Sequence, residues 1–161
     1  MNTSTPDFKL SNPVHFLALG FGSGLIKPAP GTWGTLAAVP LYYAFISVNP
    51  FGMIGLLFVI GLTFLLGIYL CGKTANDVGV HDHGASVWDE FVGYFVSLIA
   101  LPPTMLNIVF AFVLFRIFDI IKPWPIKWVD RKIHGGFGIM FDDVLAGIMA
   151  CLCLHLINYF L

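Results

Sequence analysis

Forty-five consecutive residues between Lys27 and Lys73 carry no charged side chain, and 25 more run uncharged between Glu90 and Arg116. A soluble domain of 161 residues has one modest core and cannot hide runs of that length. Composition agrees: 58% of residues are hydrophobic, 16% aromatic and only 11% charged, with a mean hydropathy of +0.87, outside the range of ordinary soluble domains. Lipid is therefore expected to cover much of the surface. The expected fold is all-α, a polytopic membrane bundle of four to five hydrophobic helices forming one domain over 1–161, with a polar cytoplasmic face.

Apolar runs read against helix breakers predict hydrophobic helices over 34–48, 51–72, 87–101, 105–121 and 142–160. Asn49-Pro50 with Gly52 closes the first pair and Pro102-Pro103 the second, because proline lacks the amide hydrogen a helix interior needs. Only 51–72 and 142–160 approach the roughly 20 apolar residues that cross a bilayer fully. Segment 14–26 is apolar but glycine-rich, which suits an interfacial or re-entrant piece. The polar start Met1–Ser11 lacks the basic, apolar and small-residue regions of a signal peptide and is expected to be retained. Cys71, Cys151 and Cys153 lie in apolar stretches without metal-ligand spacing and read as reduced packing residues.

Charge placement carries more than the net charge of −1. Threading the chain through these hairpins puts the segment before 34 and the loops 73–86 and 122–141 on one side, and the turns 49–51 and 102–104 on the other. Every Lys and Arg then belongs to the first side or lies close to it, so that side is cytoplasmic by the positive-inside rule. Asp77, Asp82, Asp89, Glu90, Asp119, Asp130, Asp142 and Asp143 converge on the same interface. Carboxylates gathered at a membrane boundary repel one another and lose solvation, so they call for paired bases or a hard cation with oxygen ligands.

Each motif also has a plain structural reading. Trp88-Asp89-Glu90 opens a helix, where acids are favoured by free amides and the helix dipole, and Asp142-Asp143 is placed at a second helix start in the same way. Arg116 and Asp119 stand one turn apart and would pair on one helix face, although ionisable groups at membrane depth usually serve function. Gly31-Thr32-Trp33-Gly34-Thr35 and Gly135-Gly136-Phe137-Gly138 read as glycine-rich turns ahead of helices, able to offer amides to phosphate or simply to turn the chain. His81-Asp82-His83 reads as a solvated loop rather than a metal site. Trp124 and Trp128 suit the headgroup region as anchors.

Four blocks, FGSGLIKPAPGTWGTLAAVP (21–40), VWDEFVG (87–93), FRIFDIIKPWPIKWVDR (115–131) and HGGFGIMFDDVLAG (134–147), together resemble the bacterial phosphatidylglycerophosphatase A family. The resemblance implies a Mg2+-dependent enzyme of the bacterial inner membrane that hydrolyses phosphatidylglycerophosphate to phosphatidylglycerol and inorganic phosphate. It is compatible with the residues: a C-x5-R nucleophile loop is missing, as is the histidine phosphatase pattern, which leaves metal-activated water as the simple route. On this reading Asp89, Glu90, Asp119, Asp142 and Asp143 hold Mg2+, directly or through water, and one of them takes the proton of the attacking water. Arg116, Lys122 and Arg131 would neutralise the phosphate, with Lys27 and the segment around Thr32 as further candidates and Asp130 orienting one of the bases. The partners expected are the lipid substrate and the bilayer, with no nucleic acid.

Three other readings differ in what they predict. A transporter would place its acids at mid-membrane depth on discontinuous helices. A Mg2+-dependent headgroup transferase would carry the D-G-x-x-A-R pattern, which is missing here. A structural subunit would have no turnover of its own.

Overall fold

The computed structural model describes residues 8–160, and the stretch 1–7 of the polar start lies outside them. The regular structure among the described residues is all helical, without a strand. Seven α-helices follow in order: α1 Pro13–Ala18, α2 Pro30–Val48, α3 Gly52–Val78, α4 Trp88–Ser97, α5 Met105–Ile121, α6 Ile126–Lys132 and α7 Gly135–Phe160. Segment 14–26 resolves into the short α1, capped by the Asn12 side chain, and a 3-10 turn at Ser23–Leu25. Neither piece crosses a bilayer.

α3 and α7 are long and apolar enough to span a membrane. Only 22% of the apolar window of α3 is buried within the protein, and Ile54, Phe58, Leu62, Leu65 and Tyr69 each stand more than half exposed. Such a continuous apolar surface has no place in water.

The centre of the bundle is α4. All ten of its residues are buried, and α2, α3, α5 and α7 pack around it. At 1.5 Å per residue α4 is about 15 Å long, half of a bilayer core, so the apolar run expected over 87–101 is an interior half-helix followed by a bend. Where α4 meets α7, a Cβ at Gly147 would collide with the carbonyl oxygen of Gly93. Small residues at a crossing let two backbones approach this closely.

Two expectations are corrected. Asp142 and Asp143 are not at a helix start: α7 begins at Gly135, and the two acids lie two turns inside it. Both glycine-rich segments are helical, Gly31–Thr35 in the first turns of α2 and Gly135–Gly138 at the start of α7. The loop 122–141 also contains α6, and α3 continues to Val78, its polar end held by the Lys73–Asp77 pair.

Helix direction gives the molecule two unlike ends. Gly31, Asp89, Asp119 and Asp143 gather at one, while at the other Asn107 on α5 accepts a hydrogen bond at 2.8 Å from Asn158 near the end of α7. The charged residues belong to the first end.

Candidate active site

Four helices and two connecting segments each contribute to one polar cavity of about 290 Å³. α4 presents Asp89 and Glu90 from its first turn, α5 presents Arg116 and Asp119 from its last two turns, and α7 presents Asp143. Lys122, in the left-handed conformation that ends α5, and Asp82, from the loop before α4, complete the charged lining.

Glu90 is the most tightly held carboxylate. Its Oε2 accepts from the Thr35 hydroxyl at 2.8 Å and the Thr35 amide at 3.1 Å, and its Oε1 lies 3.2 Å from Arg116 Nη1. The same Nη1 donates to Asp119 Oδ2 at 2.6 Å, the pairing expected from their spacing. A Cβ on Gly31 would overlap Glu90 Oε1 and the Arg116 guanidinium, so only glycine lets α2 come this close.

Lys122 anchors a second group, with Nζ donating to Asp130 Oδ1 at 2.7 Å and Asp142 Oδ2 at 2.6 Å. Burial pulls its pKa down, but the hydrogen bonds it donates to Asp130 and Asp142, with their negative charge, outweigh that and hold it above the ordinary lysine value. The ammonium therefore stays charged. Asp82 joins these two acids, with one oxygen from each of the three lying within 4.8 Å of the others.

Asp89 and Asp143 form a third group that no cation touches among the described residues. Both are buried; Asp89 Oδ1 accepts only its neighbour's amide at 3.1 Å, and Asp143 Oδ2 has no hydrogen-bond partner. Arg116 Nε is likewise buried and unpaired. Seven carboxylates (Asp82, Asp89, Glu90, Asp119, Asp130, Asp142, Asp143) thus surround two cations (Arg116, Lys122). Four of the seven, Asp89, Glu90, Asp142 and Asp143, are buried; buried negative charge beyond two cations requires protons or a bound cation, and a donor set made wholly of carboxylate oxygens fits a hard divalent ion.

The sequence-derived candidates divide. Asp89, Glu90, Asp119, Asp143, Arg116 and Lys122 line the cavity, and Asp142 reaches it through Lys122. Lys27 and Arg131 are exposed, and neither they nor Thr32 line it. The Thr32 amide donates to the Ala29 carbonyl at 3.0 Å. Asp82 enters the lining against expectation, while its neighbours are local braces: His81 Nε2 accepts from the Gly135 amide and His83 Nδ1 from the Ala85 amide. Thr35 and Gly31 matter through side-chain and steric contacts that motif reading did not assign.

The fold and site define an all-helical, apolar-surfaced protein that concentrates acids and two bases in a cavity at one end. The family model of phosphatidylglycerophosphatase A matches residues 16–158, and the chain belongs to that family. It is 52% identical over 161 residues to a phosphatidylglycerophosphatase A of Haemophilus influenzae, covering 99% of this chain and 98% of the relative. It is 50% identical over 152 residues to one of Escherichia coli, covering 94% and 87% respectively. No solved structure matches the chain.

Proposed function

We propose that the protein hydrolyses phosphatidylglycerophosphate to phosphatidylglycerol and inorganic phosphate at the cytoplasmic face of a bacterial inner membrane, as a multi-pass enzyme dependent on Mg2+. Membership in the family supports the substrate, and one observation carries the site: Asp89 and Asp143 lie buried without a cation in a cavity that also holds Arg116 and Lys122.

Asp82, Asp130 and Asp142, with one carboxylate oxygen of each lying within 4.8 Å of the others, would hold the metal together with Asp89, Asp119 and Asp143 of the same cavity. Once bound, Mg2+ would supply Lewis-acid activation of water and charge neutralisation. The chain's own residues do the rest. Arg116 presents its unpaired Nε to a phosphate oxygen while its Nη1 stays tied to Glu90 and Asp119, and Lys122 adds a second positive charge to the wall. With both oxygens engaged, Glu90 serves to fix Arg116. The proton of the attacking water passes to a carboxylate with an open oxygen, and Asp143 Oδ2 is the buried one that qualifies.

Phosphate release from phosphatidylglycerophosphate by the purified protein in detergent tests this reading. Activity should require Mg2+, vanish with a chelator, and drop by at least about a thousandfold in Asp89→Asn and Asp143→Asn while both variants still fold. Lys127→Ala, an exposed lysine outside the cavity, should stay near the parent rate. Normal turnover in both Asn variants would sink the site assignment.

A further inference from the structure

A second, apolar hollow lies on the opposite side of the first turns of α4. A groove of about 500 Å³ runs between the Gly20–Ile26 turn and α2, lined by Phe21, Ile26, Ala37 and Leu41 among others. A smaller apolar cavity of about 110 Å³ continues from it, sharing Phe21 and Leu41 and floored by Trp88, Phe91, Val92 and Phe95. The mouth is open, with Phe21 49% and Leu41 40% exposed, while Trp88, Phe91 and Phe95 at the floor are each below 10%.

This hollow is built rather than incidental. Phe21 sits at φ +59 between Gly20 and Gly22, both also at positive φ. A phenylalanine there is conformationally costly and persists only where its surroundings impose it. Its ring stands 6.3 Å from Phe91 and 6.4 Å from Trp88, centre to centre. Trp88 is fixed in turn, since its Nε1 donates to the Thr63 carbonyl on α3 at 3.0 Å.

The decisive juxtaposition is along α4. Asp89 and Glu90 line the polar cavity, and their sequence neighbours Trp88 and Phe91 line the apolar one. The same turn of α4 therefore faces a cationic and acidic chamber on one side and an apolar slot on another. In phosphatidylglycerophosphate the terminal phosphate is joined to the acyl chains through a glycerol, a phosphodiester and a second glycerol, so one molecule calls for a polar chamber and a separate apolar groove.

We infer that the groove between the Gly20–Ile26 turn, α2 and α3 holds an acyl chain of the lipid substrate, so that the lipid enters sideways from the bilayer over Phe21 and Leu41. This rests on the proposed lipid phosphatase activity. An acyl chain bound in place adds affinity without entering the chemistry, and its loss is read in KM rather than kcat.

Two measurements test it. Leu41→Trp fills the groove, and its KM for diacyl phosphatidylglycerophosphate should rise about tenfold, with kcat and with turnover of the deacylated headgroup both within about twofold of the parent. Equal loss on the two substrates, or none on either, would overturn the groove. The second measurement does not depend on activity: parent protein in nanodiscs is photolabelled with phosphatidylglycerol carrying a diazirine in one acyl chain. Label should concentrate on Phe21, Ile26 and Leu41 and fall in Leu41→Trp; label spread evenly onto Leu62, Leu65 and Tyr69, which any surrounding lipid touches, would overturn the assignment. Parent protein that releases no phosphate from either substrate would refute the proposed activity instead, and the labelling pattern would still decide the groove.

Discussion

Glu90 and Asp143 show how differently two buried carboxylates in one cavity are treated. Glu90 is satisfied on both oxygens by Thr35 and Arg116, whereas Asp143 keeps one oxygen unpaired. The satisfied group orders its surroundings and the unsatisfied one is available to chemistry. Thr35 is accordingly a positioning residue: Thr35→Val removes the hydroxyl hydrogen bond while nearly conserving shape, and frees Glu90 to swing with Arg116. kcat should fall by up to about a hundredfold, with Thr35→Ser restoring most of it and thermal stability in detergent nearly unchanged. Equal loss in the Ser and Val variants would mean that packing, not the hydroxyl, is what matters. None of this was visible in the sequence, because Thr35 and Glu90 are 55 residues apart and a lone threonine in a glycine-rich stretch has no signature. The acids flanking a helix start at Trp88 were legible, since first-turn carboxylates follow from local rules; Asp130, expected to orient a base, bonds Lys122, whereas Asp82 gains its place only by standing beside Asp130 and Asp142 in the folded chain.

At the scale of elements, proline punctuation located the α2–α3 break but not the end of α4, and glycine punctuation misplaced the start of α7. Asn49-Pro50 follows the end of α2 at Val48, where a missing amide hydrogen favours a stop, whereas α4 already ends at Ser97, ahead of Pro102-Pro103, and Pro40 is carried inside α2. Gly135–Gly138 was read as a turn because glycine is a poor helix former, yet there it starts α7: a Cβ at Gly136 would strike the Ile68 carbonyl of α3. Close packing outweighs propensity at that crossing. The shortness of α4 was equally illegible, as a wholly buried helix and a lipid-facing one are both apolar. The α4–α7 crossing makes the cost measurable. Gly147→Val would drive a branched side chain against Gly93 and Val96, lowering stability by roughly 1–3 kcal/mol. Because Asp143 lies one turn before Gly147, activity should fall more steeply than the melting temperature in detergent predicts. An unchanged melting temperature and rate would show that the two helices have room to separate.

For the whole molecule, the separation of charge from apolar surface fixes how it should sit in a bilayer. The acids and bases of the cavity occupy one end, and the hairpin ends around Asn49–Gly52 and Pro102–Thr104 carry no charged residue. A bilayer tolerates that arrangement in one register, with apolar flanks in hydrocarbon and the cavity at one boundary, which the proposed orientation makes the cytoplasmic one. Trp124 and Trp128, 81% and 55% exposed beside the cavity end, fit the headgroup level on that side. The orientation can be measured with single cysteines in a background where Cys71, Cys151 and Cys153 are replaced by Ser or Ala and phosphatase activity is retained. A cysteine at Lys127 should react with a membrane-impermeant maleimide only in inverted vesicles, and one at Phe51 or Thr104 only in right-side-out cells. Were Lys127→Cys and Thr104→Cys labelled from the same side, α5 would not cross the membrane; the hairpin order that brings Asp119 to the cytoplasmic boundary would then have to be redrawn.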